Sequence, residues 1–295
     1  MKDSKKKLCI LISGPLRTFE KVWPVNLKIL ENLKLDFQCF LHTWDENIPT
    51  YKNTTDGYKG WIWQWQNMAY EPQHNYNIES ILKSHNILQY EVENFTSYLN
   101  ENKFLEKFSD KSFYLRLLNS TAMYYGMNKC LQIAKNSNID FSHALRLRPD
   151  FQLPSSFELS DSSKILFHGP GVSIKGKVVS DQCFSGNFKQ MNNIMSAYSR
   201  LVENFDTQKF NHEKIEFEIA ENVIFSQLEK FGYLEQSQIL TRPQLGKVIR
   251  PEVMKKRGKY KFKFYLNGMK FWKFVWTKRL HKVILSLKYG VGRKD

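Results

Sequence analysis

Five consecutive apolar residues, Leu8 to Ile12, constrain this chain more than any other feature. They follow a lysine run and stop at Ser13-Gly14-Pro15. A strand with one wet face alternates apolar and polar residues. An unbroken run belongs to a strand covered on both faces, and so to a parallel sheet between helices. The next residues agree. Phe19, Val22, Trp23, Leu27, Leu30 and Leu33 fall near helical spacing, with Pro24 in the early turns. Leu35 to Leu41 reads as a second strand, ending in His42-Thr43-Trp44-Asp45-Glu46. Strand, loop, helix, strand is a right-handed βαβ opening. It predicts an α/β fold: a Rossmann-type, mostly parallel sheet flanked by helices.

A second stretch, Phe141-Ser-His-Ala-Leu-Arg-Leu-Arg-Pro-Asp150, begins as a buried strand and ends in charge. Side chains alternate faces along an extended segment, so Leu145 and Leu147 pack while Arg146, Arg148 and Asp150 line up together. Pro149 cannot donate to a ladder and biases Arg148 towards extended geometry, so the strand stops there. It delivers charged groups to its C-terminal edge, where ligands bind in open α/β sheets.

The remaining pattern fills out one α/β body over residues 1–250. Helices are predicted over 78–85, 95–108, 113–137, 188–204 and 213–231, the last ended by Gly232 as a glycine past a helix end does. Strands are predicted near 87–92, 164–167 and 233–240. The 113–137 helix carries Asn119 and Asn128 as polar interruptions. Residues 47–76 read as a loop whose Tyr51, Tyr58, Trp61, Trp63 and Trp65 stack on a ligand or, more commonly, cover a sheet edge. Cys9, Cys39, Cys130 and Cys183 show neither Cys-x-x-Cys nor zinc-like spacing, so reduced, structural thiols are expected.

Charge divides the chain unevenly. Of the formal +15, residues Lys255 to Asp295 contribute +13, from fourteen Lys or Arg against one acid, leaving +2 (15 − 13) for the body. This 251–295 tail interleaves Lys259, Lys261, Lys263, Lys270 and Lys273 with Tyr260, Phe262, Phe264, Phe271 and Trp272, the composition of a helix lying in a membrane surface. The same composition suits nucleic acid, and packing on the body is the plainer use. No leader or apolar span long enough to cross a membrane is read, so a cytoplasmic chain held at the inner face of the membrane is expected.

The first loop lacks G-x-G-x-x-G and G-x-x-x-x-G-K-[ST], which weighs against ordinary dinucleotide and NTPase sites. Its glycine and Arg17 still suit close approach to an anion. Ser13, Gly14, Pro15, Arg17, Asp45 and Arg148, at the ends of the predicted strands, are the candidates for binding a cofactor there.

Five segments in order then resemble one family: Ser13-Gly-Pro-Leu-Arg17, His42-Thr-Trp44, Arg146-Leu-Arg-Pro-Asp150, Asp181-Gln-Cys-Phe-Ser-Gly186, and Ala220-Glu-Asn222 through Leu228 to Gly232. They look like the motifs of bacterial and viral glycosyltransferases that assemble surface polysaccharide, with Ala220 where that family usually has proline. The resemblance covers about residues 7–240. It implies a GT-A-like domain binding a nucleotide-diphosphate sugar at the sheet's C-terminal edge. The acceptor it implies is a lipid-linked or growing capsule or lipopolysaccharide glycan. That acceptor favours the membrane over nucleic acid as the tail's partner.

The resemblance also poses a question of charge. GT-A enzymes place Asp-x-Asp on Mn²⁺ or Mg²⁺ at the pyrophosphate; here the triplet is Arg148-Pro149-Asp150. Either Asp150 holds a metal, helped by Asp181 or Glu221, or Arg148 and Arg17 clamp the diphosphate directly. An unpaired Asp150 beside a diphosphate would be repulsive, which favours the metal. Asp150, Asp181 and Glu221 are the catalytic candidates, the last two as general base. The other class of function is a non-enzymatic module whose tail binds anionic lipid or RNA.

Overall fold

The computed structural model describes residues 7–16, 18–45, 78–85, 87, 89–108, 114–159, 163–206, 220–240 and 244–248. Arg17, the aromatic loop 47–76 and the basic tail 251–295 lie outside the described residues.

The fold is α/β. Strand β1 (Lys7–Ser13) is buried from Leu8 onward and pairs in parallel with β2 (Asp36–Trp44) and with β4 (His143–Leu147). Beyond β2 lies β3 (Gln89–Glu93), also parallel. On the other flank of β4 comes β9 (Cys183–Asn187), then β6 (Ile165–Phe167) and β10 (Ser237–Ile239). The seven-stranded order is β10-β6-β9-β4-β1-β2-β3, with β9 antiparallel to both its neighbours. Between β6 and β9 the chain makes a small hairpin, β7 (Val172–Ile174) and β8 (Lys177–Val179), and no helix. A parallel return needs a crossover of a dozen or more residues, usually helical. Without one the chain comes back antiparallel.

Helices cover both faces. Phe19, Trp23 and Leu30 of α1 (Phe19–Glu31), with Ile81 and Leu82 of α2 (Ile78–Ser84), pack on Leu8, Ile10, Ile12, Leu41, Leu145 and Leu147. The opposite face carries α3 (Phe95–Glu101), the long α4 (Tyr114–Asn136), α5 (Phe188–Met195), α6 (Ala197–Asp206) and α7 (Ala220–Lys230) against Cys9, Leu11, Phe40, Ala144 and Phe184. Each fully buried Leu or Ile is worth about 1.5–3 kcal/mol, so the sheet sits between two real cores. Alternation in β1 assigns even residues to one core and odd residues to the other, as a strand period of two requires.

Several elements differ from the sequence expectation. His42-Thr43-Trp44 continue β2 instead of ending it, because their register partners Glu91, Val92 and Glu93 extend the ladder with β3. The helix expected over 188–204 is two, broken at Ser196, and 103–108 is a 3₁₀ turn that separates from α3 at Asn102. The segment entered by Asp181 and Gln182 is β9, a central strand. The strand expected over 233–240 is three residues, β10, after a 3₁₀ turn, and a last short strand, β11 (Lys247–Val248), pairs antiparallel with β5 (Phe151–Gln152). All four cysteines are free.

Candidate functional site

The chain runs from β1 to β2 and β3 on one side, then returns to place β4 on the other side of β1. The strand order therefore reverses between β1 and β4. At such a switch point the loops leaving two neighbouring strands diverge, and the crevice at their carboxyl ends is where ligands bind in open α/β sheets. Here those loops begin at Ser13-Gly14 and at Arg148-Pro149-Asp150.

The first loop is set by backbone geometry. Gly14 has φ +126° and donates its N–H to the His42 carbonyl at 3.2 Å. A Cβ there would lie 3.5 Å from Pro149 Cδ and 3.9 Å from Arg148 Cγ, ordinary contact distances. The dihedral, not crowding, is what demands glycine. Ser13 is buried, and Pro15 is half-buried.

The second loop folds on itself. Arg148 donates Nε to Asp150 Oδ1 at 2.6 Å and Nη2 to Oδ2 at 3.3 Å, a fork on a carboxylate that is 1 % exposed. Phe151 N–H closes the turn on the Arg148 carbonyl at 2.9 Å. Beneath it, the Asn26 side chain of α1 donates to the Phe151 carbonyl at 2.8 Å and accepts from Leu153 N–H at 2.9 Å. The segment after Asp150 is thus anchored to the helix that follows the first loop.

A third loop joins from β9. The Gln182 carbonyl accepts Arg148 N–H at 3.1 Å and Arg146 Nη1 at 2.7 Å. Asp181 beside it is half-buried. The structure thus brings together Ser13, Gly14, Arg148, Asp150 and the Asp181–Gln182 turn. Two further candidates stand on other elements. Asp45 stands exposed past β2, where its carboxylate accepts from the Asn94 amide at 3.1 and 3.3 Å, and Asn94 caps α3. Glu221 is half-buried on the first turn of α7, where a carboxylate complements the helix dipole.

Two expectations are corrected. Arg146 does not line the edge with Arg148; it is wholly buried on the α4 side of β4. Asp150 is not an unpaired carboxylate. Both its oxygens are engaged by Arg148, so the repulsion that favoured a metal is already relieved by a guanidinium. Among the described residues no group of three or more His, Cys, Asp or Glu gathers to hold an ion.

Sequence reasoning missed a charged network at the neighbouring strand ends. Glu93 closes β3 and receives Lys129 Nζ at 2.7 Å and Tyr125 Oη at 3.1 Å from α4, with His42 Nε2 3.3 Å from its other oxygen. That histidine contact is close but off hydrogen-bond alignment. Burial raises the Glu93 carboxyl, but contacts with His42, Lys129, Glu91 and Tyr125 outweigh it and bring it down to about 2. Burial, then the Glu93 charge, pushes Tyr125 up to about 12. Glu93 is thus a fixed anion joining β2, β3 and α4. Its signal in sequence was only an alternation, Glu91-Val92-Glu93, that reads as an ordinary edge strand.

Neither any family model nor any curated protein matches this chain. Among solved structures, the chain is similar to a nucleoside-diphosphate-sugar pyrophosphorylase from Vibrio cholerae RC9, at 11% identity and a TM-score of 0.35, over 80% of this chain and 93% of that one.

Proposed function

We propose that this protein is a glycosyltransferase of GT-A-like fold that moves a sugar from a nucleoside-diphosphate donor to a growing surface glycan. A lipid-linked capsule or lipopolysaccharide chain is the acceptor in this reading. One observation carries it: the Gly14 loop, the Arg148–Asp150 fork and the Asp181–Gln182 turn converge at the sheet's switch point. The motif resemblance had singled out these same segments.

Each residue has a role in that reading. Gly14 lets the backbone approach the diphosphate closely. Arg148, joined by Arg17, meets the phosphate oxygens, where a planar guanidinium binds two at once. Asp150 holds the Arg148 fork in one orientation and keeps its rotamer freedom from being lost on binding. Asp181 and Glu221 are the carboxylates available to take the acceptor hydroxyl's proton. The basic tail holds the enzyme at the inner face of the membrane, beside a lipid-linked acceptor.

The test is a titration of the full chain with UDP, GDP and their hexose conjugates, with and without Mn²⁺. The expected result is saturable binding of one nucleoside diphosphate, independent of Mn²⁺ and weakened by Asp150→Ala. Absence of binding by any of them overturns the reading and leaves a non-enzymatic module.

A further inference from the structure

We infer that Arg146 is the fixed cation of this site: it positions two of the loops through their carbonyls and acts on a bound diphosphate through its charge, without touching it. The inference deepens the proposed function and rests on it.

The guanidinium is 0 % exposed, in the middle of a strand whose neighbours Leu145 and Leu147 are apolar and buried. Nη1 donates to the Gln182 carbonyl at 2.7 Å and Nη2 to the Ser13 carbonyl at 3.3 Å, while Nε has no hydrogen-bond acceptor. One side chain thus spans from β4 to the end of β1 and to the turn entering β9. These are two of the three loops that border the switch-point crevice.

Among the described residues no carboxylate is in ion-pair contact with it. The nearby carboxylate Asp150 is taken by Arg148, and Asp181 and Asp150 favour the cation only from a distance. Burial pulls Arg146 down to about 10, so it remains a cation at neutral pH. A buried cation is unfavourable unless compensated, and an apolar side chain would fill this strand position at less cost. Positive potential this deep is weakly screened by solvent or salt. It projects towards the carboxyl ends of β1 and β4, where an anionic ligand supplies the missing compensation.

The experiment is calorimetric titration of UDP and UMP, or of GDP and GMP if that pair is the one bound, into the full-length wild type, Arg146→Gln and Arg146→Lys. A fixed charge acts more strongly on a diphosphate than on a monophosphate. The diphosphate-over-monophosphate affinity ratio is expected to fall on the order of fivefold in Arg146→Gln and to stay within about twofold of wild type in Arg146→Lys. A strut without electrostatic action would weaken both nucleotides alike. An unchanged ratio in Arg146→Gln therefore overturns the inference while leaving the proposed function standing. If the wild type binds neither pair, the proposed function falls and this inference with it. Should Arg146→Gln fail to fold, Arg146→Gln/Asp181→Asn removes the cation and the carboxylate that most favours it together. Its ratio is then compared with that of Asp181→Asn alone: a fall supports the inference, and equality overturns it.

Discussion

Arg148 and Asp150 form one hydrogen-bonded unit, and their substitutions should show it. Arg148→Lys keeps the charge but loses the fork; Asp150→Asn keeps the shape but loses the charge. Each is expected to weaken nucleoside-diphosphate binding on the order of tenfold. The double variant should be little worse than either, because residues in one network are not additive. Full additivity in a calorimetric double-mutant cycle would mean that the two act separately. Two titrations also give the protein an acid limit. Burial holds His168 down at about 3, neutral, with Nε2 2.8 Å from Ser185 Oγ. Its folded value lies below the ordinary 6.5, so its contribution is complete above 6.5 and is lost as pH falls towards 3. Glu93, held at about 2, contributes above its ordinary 4.5 and loses that contribution as pH falls towards 2. Denaturant midpoints should therefore decline in two stages on acidification. Glu93→Gln should lose about 1–2 kcal/mol at neutral pH, and its decline below 4.5 should flatten. An unaltered acid limb in that variant would show that Glu93 is not held as a fixed anion.

At the level of elements, helix α4 is the part that ties the sheet's carboxyl edge together. It supplies Tyr125 and Lys129 to Glu93, and Cys130 Sγ to the Ile12 and Phe40 carbonyls at 3.5 and 3.1 Å. Tyr125 stacks on Trp44 with centroids 5.7 Å apart. The helix seats this closely because residue 126 is glycine: a Cβ there would stand 2.9 Å from His42 Nδ1. Two effects compete in Gly126→Ala. Helix propensity favours alanine by about 1 kcal/mol, whereas overpacking a rigid interior costs about 1–3 kcal/mol. Overpacking should win, because His42 is wholly buried with Trp44 and Tyr125 rings packed edge-on against it. Urea unfolding should show a net loss of up to about 2 kcal/mol. A gain would mean that α4 can lift from the sheet without penalty.

For the whole molecule, the charge division sets the expectation. The body is close to neutral and residues 255–295 carry +13. Each Lys or Arg near an anionic leaflet is worth about 1 kcal/mol, falling off within a Debye length. A chain truncated after residue 250 should still bind the donor nucleotide but lose sedimentation with phosphatidylserine vesicles. The difference from the full chain should shrink at high salt. Equal sedimentation of both forms would end the idea of a membrane tether. Unfolding of the truncated form would instead make the tail part of the packed body.

The α/β class is legible in the sequence alone, because an unbroken apolar strand followed at once by a helical apolar stripe is satisfied by a sheet covered with helices. The sequence also marked Gly14, Arg148 and Asp150, since strand ends are written locally, by a glycine at positive φ and by a proline that stops a ladder. Strand order was decided only in three dimensions. No local pattern says that β4 pairs beside β1 opposite β2, and it is this pairing that creates the switch point and sets Gly14 against Pro149. The partner of each charge was likewise a tertiary matter. Alternation places Arg146 and Arg148 on one face, but depth under α4 makes the first a buried cation, and a turn at Pro149 makes the second the partner of Asp150. No local pattern gives Glu93 its partners; α4, remote in sequence, lays Lys129 and Tyr125 against it. Side-chain type is local, whereas burial and pairing depend on which distant segments fold over it.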